Sequence, residues 1–187
     1  MKKFALIMAV LCAASIFAIS PSYAAEKALI VYFSWSGNTE KLARNIAEAT
    51  GFDVFEIKTA KPYPEDYDAV LDLAKKEQNR KARPELAAHV QNFEQYDTIF
   101  LGYPCWWGTL PMPVFTFLEG YDFSGKRIIP FVTHGGSSFG RSLNDMKRTV
   151  PNAKIESNGL SIRGSNASSS KPQVIKWLEK LGVATKK

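Results

Sequence analysis

A short apolar run from Ala28 to Phe33 passes directly into a loop rich in glycine and hydroxyl groups. Six consecutive apolar residues are typical of a strand buried on both faces of a parallel sheet. After the loop, a helix is predicted from Asn38 to Thr50, where Gly51 ends the helical periodicity. This strand, loop and helix unit favours an α/β fold over an all-α or all-β fold.

The loop between this strand and helix has the composition of a phosphate site. Hydroxyl groups come from Ser34, Ser36 and Thr39, and Gly37 lets the backbone approach a ligand closely. The positive end of the helix dipole favours an anion at the same place. A serine-rich turn without a ligand is the alternative interpretation, because short motifs are hypotheses.

Two further apolar runs end in loops of matching character. Residues 97–103 lead into the loop 104–109, where Trp106 and Trp107 are natural walls for a flat aromatic ring. Residues 127–132 lead into the loop 133–138, where Gly135 and Gly136 expose the backbone to the polar edge of a heterocycle. Carboxyl ends of parallel strands lie at one edge of a sheet, so the three loops are expected to form one site.

The rest of the chain continues the alternation. Further strands are predicted over residues 53–57 and 155–162, the second with an interruption at 158–159. Further helices are predicted over 65–81, 114–118 and 139–149, with a last helix capped by Ser170. A shorter helical piece is predicted around Leu86, Val90 and Phe93. Five strands alternating with helices predict one doubly wound parallel sheet with helices on both faces.

Four sequence motifs together resemble the flavodoxin-like family of FMN proteins, in particular a bacterial branch with a Pro-x-Trp-Trp-Gly loop. The motifs are Ser34-x-Ser-Gly-Asn-Thr39, Pro104-x-Trp-Trp-Gly108, Tyr121-Asp-Phe-Ser-Gly125 and Thr133-x-Gly-Gly-Ser137. The resemblance implies the strand order 2-1-3-4-5 and FMN as the cofactor. It also implies three sets of ligand contacts. The phosphate would be held by Ser34, Ser36, Gly37, Asn38 and Thr39; the isoalloxazine would be flanked by Pro104, Trp106, Trp107 and Gly108, and edged by Thr133, Gly135, Gly136 and Ser137.

The first 24 residues have the pattern of a cleavable export signal. Lys2 and Lys3 precede an apolar stretch, and the small residues Ser22 and Ala24 suit a signal peptidase that cuts before Ala25. We therefore expect residues 25–187 to form one exported domain, periplasmic or secreted. A retained membrane anchor is the alternative, although the apolar stretch is shorter than the roughly 20 residues that a span needs.

Charge and cysteine content limit the functions of the exported chain. Loss of the two leader lysines lowers the formal net charge from +6 to +4, so the chain lacks the acidic field of mobile electron-carrying flavodoxins. Basic residues between Lys75 and Arg83 are interpreted as a solvated helix face, not as a nucleic-acid site. Cys105, left without a partner cysteine, is interpreted as a small buried hydrophobe.

His134 is the one candidate for a proton or hydrogen-bond donor to flavin or substrate, and an inconsequential loop histidine is the alternative. His89 lies far away in sequence, so no metal site is expected. The predicted function is an FMN-dependent oxidoreductase that passes electrons from a reduced donor, with NAD(P)H as a candidate, to a quinone-like or other aromatic acceptor. A carrier between protein partners and a flavin-binding protein without turnover are the alternatives. The sequence leaves open whether the chain forms a homodimer.

Overall fold

A computed structural model describes residues 27–186, so the predicted export signal lies outside the described residues. Within them a parallel sheet has the order β2-β1-β3-β4-β5, and a sixth strand, β6, also pairs with β4. The strands are β1 (Ala28–Tyr32), β2 (Asp53–Glu56), β3 (Thr98–Pro104), β4 (Arg127–His134), β5 (Lys154–Ile155) and β6 (Leu160–Arg163). The predicted fold class and strand order are confirmed.

The described residues form five helices, four of which pack on the two faces of this sheet. The five helices are α1 (Asn38–Thr50), α2 (Tyr67–Asn79), α3 (Met112–Glu119), α4 (Ser142–Thr149) and α5 (Lys171–Lys180). One face packs on α1 and α5, where Ile46 and Val174 are fully buried. The other packs on α3 and α4, where Phe117 and Met146 are fully buried. Burial on both faces explains why β1, β3 and β4 are continuous apolar runs.

The interruption predicted in the last strand is confirmed. Residues 156–159 separate β5 from β6, and β6 pairs with the end of β4 in the register Thr133↔Ile162 and His134↔Arg163. Thr133 and His134 therefore belong to β4, and their placement in the loop was wrong. The third loop therefore begins at Gly135, because β6 continues the pairing to the end of β4.

The helix predicted around Leu86, Val90 and Phe93 is wrong. Only Phe93–Gln95 form a single 3-10 turn, and Leu86 makes an antiparallel bridge with Thr59. The backbone N–H groups of Ala60 and Ala87 donate to the carbonyls of Glu85 and Lys58, which holds this segment extended. Pairing with a neighbouring segment therefore satisfies backbone groups that a helix would otherwise satisfy internally.

Two other predicted helices are shorter in the structure. Helix α2 begins after Asp66, whose carboxylate accepts a hydrogen bond from the N–H of Ala69 at 2.8 Å and caps the helix. Helix α4 begins at Ser142 and not at residue 139. Both changes lengthen the loops at the carboxyl edge of the sheet, where the predicted ligand loops lie.

Candidate functional site

The first loop begins at the end of β1 and ends at the N-terminus of α1. Gly37 caps this helix in the left-handed conformation, with φ 77°, which glycine adopts without steric cost. The first N–H groups of an α-helix have no partner inside the helix. The hydroxyl oxygen of Ser34, close by in sequence, is buried without a hydrogen-bond partner. The loop thus offers backbone and side-chain donors to an anion.

Other polar side chains in and beside this loop already have partners within the protein. The amide of Asn38 donates to the hydroxyl of Ser36 at 3.2 Å. Glu40, in the first turn of α1, pairs with Arg44 at 2.6 Å. This ion pair partly offsets the negative charge of Glu40 near the predicted anion site. The hydroxyl of Thr39 lies 2.8 Å from that of Thr133. Two predicted site residues, one in the first turn of α1 and one near the end of β4, therefore contact each other directly.

The second loop contains a tight hairpin turn. The N–H of Trp106 donates to the carbonyl of Thr109 at 2.9 Å, and the N–H of Thr109 donates back at 3.0 Å. Between them, Trp107 and Gly108 have positive φ values of 49° and 78°. Positive φ at both central residues is the signature of a type I′ turn, which asparagine and glycine prefer and which a bulky residue such as Trp107 adopts only under constraint.

The two tryptophans of this turn occupy different environments. Trp106 packs edge-on against Phe33 and Tyr63, with ring centroids 5.4 and 5.3 Å apart. Trp107 is 44% exposed, donates its indole N–H to the carbonyl of Leu71 at 3.1 Å, and lies 4.8 Å from the ammonium of Lys75. Trp106 is therefore partly buried against the core, whereas Trp107 has more exposed surface, with Lys75 over one face of its ring.

The third loop exposes its backbone, as the sequence predicts. Gly135, Gly136 and Ser137 are all exposed, and a side chain at Gly135 would meet no atom within 4 Å. Arg163 donates to the carbonyl of Gly135 at 3.1 Å, which anchors the start of the loop to β6. The free backbone groups of this loop can hydrogen-bond the polar edge of a ring.

His134 ends β4 next to this loop. Its Nδ1 is buried without a hydrogen-bond partner, and burial, together with the nearby cation of Arg163, lowers the pKa of the imidazole below its usual 6.5. The ring is therefore neutral at pH 7 and can donate or accept a hydrogen bond, with the tautomer set by its partners.

Sequence reasoning missed two aromatic residues beside the first loop. Trp35 donates its indole N–H to the carbonyl of Pro64 at 2.8 Å, and Tyr63 donates its hydroxyl to Glu77 at 2.5 Å. Both line a cleft of about 250 Å³ next to Ser34, Glu56 and Lys58. Trp35 lies inside the first motif, at its variable position, so only its size could have drawn attention. Tyr63 lies in a proline-rich loop with no motif.

Cys105 and the basic residues near the end of α2 were also singled out in the sequence. Cys105 is half-buried and packs against the core, so the prediction of a small buried hydrophobe is correct in part. Lys76, Arg80, Lys81 and Arg83 are exposed as predicted, but α2 ends at Asn79, so the last three lie beyond the helix and not on its face. Arg83 pairs with Glu119 at 2.6 Å.

Among residues 27–186, no group of three or more acidic, histidine or cysteine side chains could hold a metal ion. In that part of the chain no helix is long and apolar enough to cross a membrane.

Comparison with known proteins identifies the class that this fold and these loops define. The family model described as Flavodoxin matches residues 27–181, and the chain belongs to the flavodoxin family. The comparison with curated proteins gives no match.

Several solved structures are similar over most of the chain. A candidate flavoprotein of Bacteroides eggerthii is 32% identical with a TM-score of 0.73, covering 84% of this chain and 98% of its own. One from Bacteroides uniformis is 31% identical with a TM-score of 0.70, covering 82% and 97%. A flavoprotein of Lactobacillus acidophilus, solved in complex with FMN, is 26% identical with a TM-score of 0.63, covering 78% and 98%.

Proposed function

We propose that this protein binds FMN across the three loops that follow β1, β3 and β4, and that it is an exported oxidoreductase. The proposal rests on two buried polar atoms that have no hydrogen-bond partner in the protein. Within residues 27–186, the buried side-chain nitrogen and oxygen atoms without a hydrogen-bond partner are Ser34 Oγ and His134 Nδ1. Buried polar atoms are normally paired, and both of these lie at carboxyl ends of strands where α/β proteins bind ligands. The FMN complex of the similar Lactobacillus acidophilus protein supports the choice of ligand.

The first loop fits one phosphate group. A Cβ added at Gly37 would meet only a Glu40 oxygen, at 4.0 Å, so the space over this turn is open. Ser34 and the first amides of α1 would hold the phosphate, and the helix dipole would stabilise its charge. Nothing in the three loops provides for a second phosphate and an adenosine, which favours FMN over FAD.

The other two loops would hold the ring system. Trp107 would cover one face and exclude water, and the exposed amides of the third loop would hydrogen-bond the polar edge. Bound FMN would supply the redox chemistry, accepting and releasing electrons. The protein would bind the phosphate, pack Trp107 on the ring and hydrogen-bond the polar edge of the ring. The neutral imidazole of His134 would lie beside the third loop.

The acceptor we propose is a small, uncharged aromatic such as a quinone, with a reduced nicotinamide as donor. The loops 34–39, 104–109 and 133–138 contain no aspartate or glutamate. Carboxylates close to these loops are Glu40, which pairs with Arg44, and Glu56, which pairs with Lys58. Loops without carboxylates give a weaker negative field for docking a basic carrier partner, and they suit a neutral planar substrate. The flavodoxin family includes electron carriers, so a non-enzymatic carrier is the rival function.

Turnover and redox titration together separate these two functions. FMN-loaded protein is mixed with NADH or NADPH and a soluble benzoquinone, and nicotinamide oxidation is followed at 340 nm. The enzyme proposal predicts quinone-dependent oxidation and a single two-electron reduction of the bound FMN. Two well-separated one-electron steps with no quinone-dependent turnover would favour the carrier.

Export is a separate part of the proposal. It is supported by the leader pattern of residues 1–24, in which Lys2 and Lys3 precede the apolar stretch. N-terminal sequencing of the protein from a periplasmic or culture fraction should begin at Ala25. Recovery of the full-length chain in the cytoplasm or membrane would contradict export or cleavage.

A further inference from the structure

A buried carboxylate links the second ligand loop to helix α4. Asp145 is only 7% exposed, and it accepts hydrogen bonds from three side chains. These are the hydroxyl of Thr109 in the second loop, Arg141 Nε at 3.0 Å, and Arg148. Removing an ionised carboxylate from water is costly unless it is paired and hydrogen-bonded, as this one is.

The three partners of Asp145 differ in how far they depend on it for a hydrogen bond. The side chains of Arg141 and Arg148 are 55% and 72% exposed, so water can solvate both guanidinium groups without the carboxylate. Thr109 is 1% exposed, so its hydroxyl would be left buried and unpaired if Asp145 were lost. The contact with Thr109 is therefore the one for which Asp145 is required.

Thr109 in turn closes the hairpin turn that carries Trp107. Its backbone pairs with Trp106, and the two residues between them have positive φ. A tryptophan in that region is strained and persists only where surrounding contacts fix the backbone. Asp145 supplies such a contact through the side chain of Thr109.

The residues just before α4 contact the same turn at a second point. The N–H of Arg141 donates to the carbonyl of Gly108 at 2.8 Å. A Cβ at Gly140 would lie 2.4 Å from that carbonyl oxygen, so only glycine fits there. Gly108 and Thr109 are thus both fixed against the segment 140–145, and these contacts hold the backbone of the turn that carries Trp107.

From these contacts we propose that Asp145 is a positioning residue for the flavin site. Through Thr109 it holds the type I′ turn and keeps the Trp107 indole at the orientation in which FMN would meet it. The inference deepens the proposed function and rests on it for the flavin, but its structural part concerns the protein without cofactor. The competing interpretation is that Asp145 only neutralises two arginines on α4 and leaves the loop unaffected.

The test uses three variants of the mature protein with matched chemistry. T109V removes the hydroxyl and keeps the side-chain shape, and T109S restores a hydroxyl. T116V is the control, because the Thr116 hydroxyl makes only a weaker bond, to the Met112 carbonyl at 3.3 Å in α3. The first readout is the indole N–H signal of Trp107 in nitrogen-15 NMR spectra of the cofactor-free protein, assigned with W107F. The second is FMN affinity from fluorescence titration.

We expect T109V to shift the Trp107 indole signal and to weaken FMN binding by about five-fold or more, because a protein that holds the binding-competent turn only part of the time binds its ligand more weakly by that fraction. T109S and T116V should match the wild type in both readouts. An unmoved Trp107 signal in T109V would overturn the proposal whether or not FMN binds. Failure of the wild type to bind FMN would overturn the proposed function, and the indole signal would still decide the role of Asp145.

A second pair of variants covers the case in which T109V does not fold. D145N keeps an oxygen that can accept from Thr109 but removes the charge that the arginines use, whereas D145L removes both. The proposal predicts a Trp107 signal close to that of the wild type in D145N and a shifted one in D145L. The same signal in both variants would contradict it.

Discussion

The hydroxyl groups of Thr39 and Thr133 lie 2.8 Å apart, and both residues are almost completely buried. Thr39 is in the first turn of α1, and Thr133 is near the end of β4, so this hydrogen bond joins the proposed phosphate loop to the proposed ring-edge loop. Each hydroxyl satisfies the other. The relative position of the two loops is therefore set inside the protein, before a ligand binds.

Replacing one of these threonines by valine should lower the free energy of unfolding more than replacing both. T39V leaves the Thr133 hydroxyl buried without its partner, which costs roughly 1 to 3 kcal/mol, and T133V does the same to Thr39. The double variant removes both polar groups and should recover part of that loss. Urea unfolding of the four proteins measures this. Strictly additive losses would show that the two hydroxyls are not coupled.

A carboxylate at Gly37 should prevent FMN binding. Two like charges about 4 Å apart repel by about 4 kcal/mol at an effective dielectric constant of about 20. Since about 1.4 kcal/mol is a factor of ten in affinity, G37D should weaken binding by about a hundred-fold or more.

Gly125 provides the matched control for this substitution. It has nearly the same φ, 76° against 77°, and a side chain there would also have free space. G125D should therefore suffer similar backbone strain and keep its FMN affinity, as measured by fluorescence titration. Equal FMN affinity in G37D and the wild type would place the phosphate elsewhere.

The two neighbouring tryptophans should respond differently to alanine. Trp106 packs against Phe33 and Tyr63, so W106A should lower the free energy of unfolding by roughly 3 kcal/mol. Trp107 is partly exposed, so W107A should mainly weaken FMN binding, by about 1 kcal/mol for the lost stacking. Denaturant unfolding and FMN titration on the same samples check both effects. Unchanged FMN affinity in W107A would mean that another residue forms the wall.

His134 should titrate below pH 6.5, and its protonation should destabilise the folded protein. Burial is the larger cause of the lowered pKa and Arg163 the smaller, so R163Q should raise the pKa only in part. In the unfolded chain the imidazole has its usual pKa of 6.5, so the unfolded state binds more protons as the pH falls below that value. The associated stability is present above pH 6.5 and is lost as the pH falls toward the folded pKa. An NMR titration midpoint at or above 6.5 would contradict this.

The sequence predicted those parts of the fold that depend on local patterns. The apolar runs from Ala28, Thr98 and Arg127 were recognisable because burial on both sheet faces requires continuous apolar sequence. The helix expected around Leu86 failed because the apolar spacing there is helical, while the backbone pairs with Thr59 in another segment. Such pairing is a tertiary property that periodicity does not report.

The candidate site was predictable to a similar extent. The motifs identified the loops of Ser34, Trp107 and Gly135, since glycine and hydroxyl clusters at strand ends have a direct chemical meaning. They did not separate the roles of Trp106 and Trp107, which depend on neighbours such as Tyr63. They also gave no sign of Asp145, because an aspartate in a helix is ordinary until its burial and its contact with Thr109 are known.

The most direct test of the FMN assignment compares three ligands on the cofactor-free protein: FMN, riboflavin and FAD. If Ser34, Gly37 and the start of α1 form a site for one phosphate, FMN should bind with one equivalent per chain, and riboflavin and FAD should each bind at least about ten-fold more weakly, a difference of about 1.4 kcal/mol. Calorimetric or fluorescence titration measures all three affinities. Riboflavin or FAD binding as tightly as FMN, or no flavin binding at all, would contradict the account.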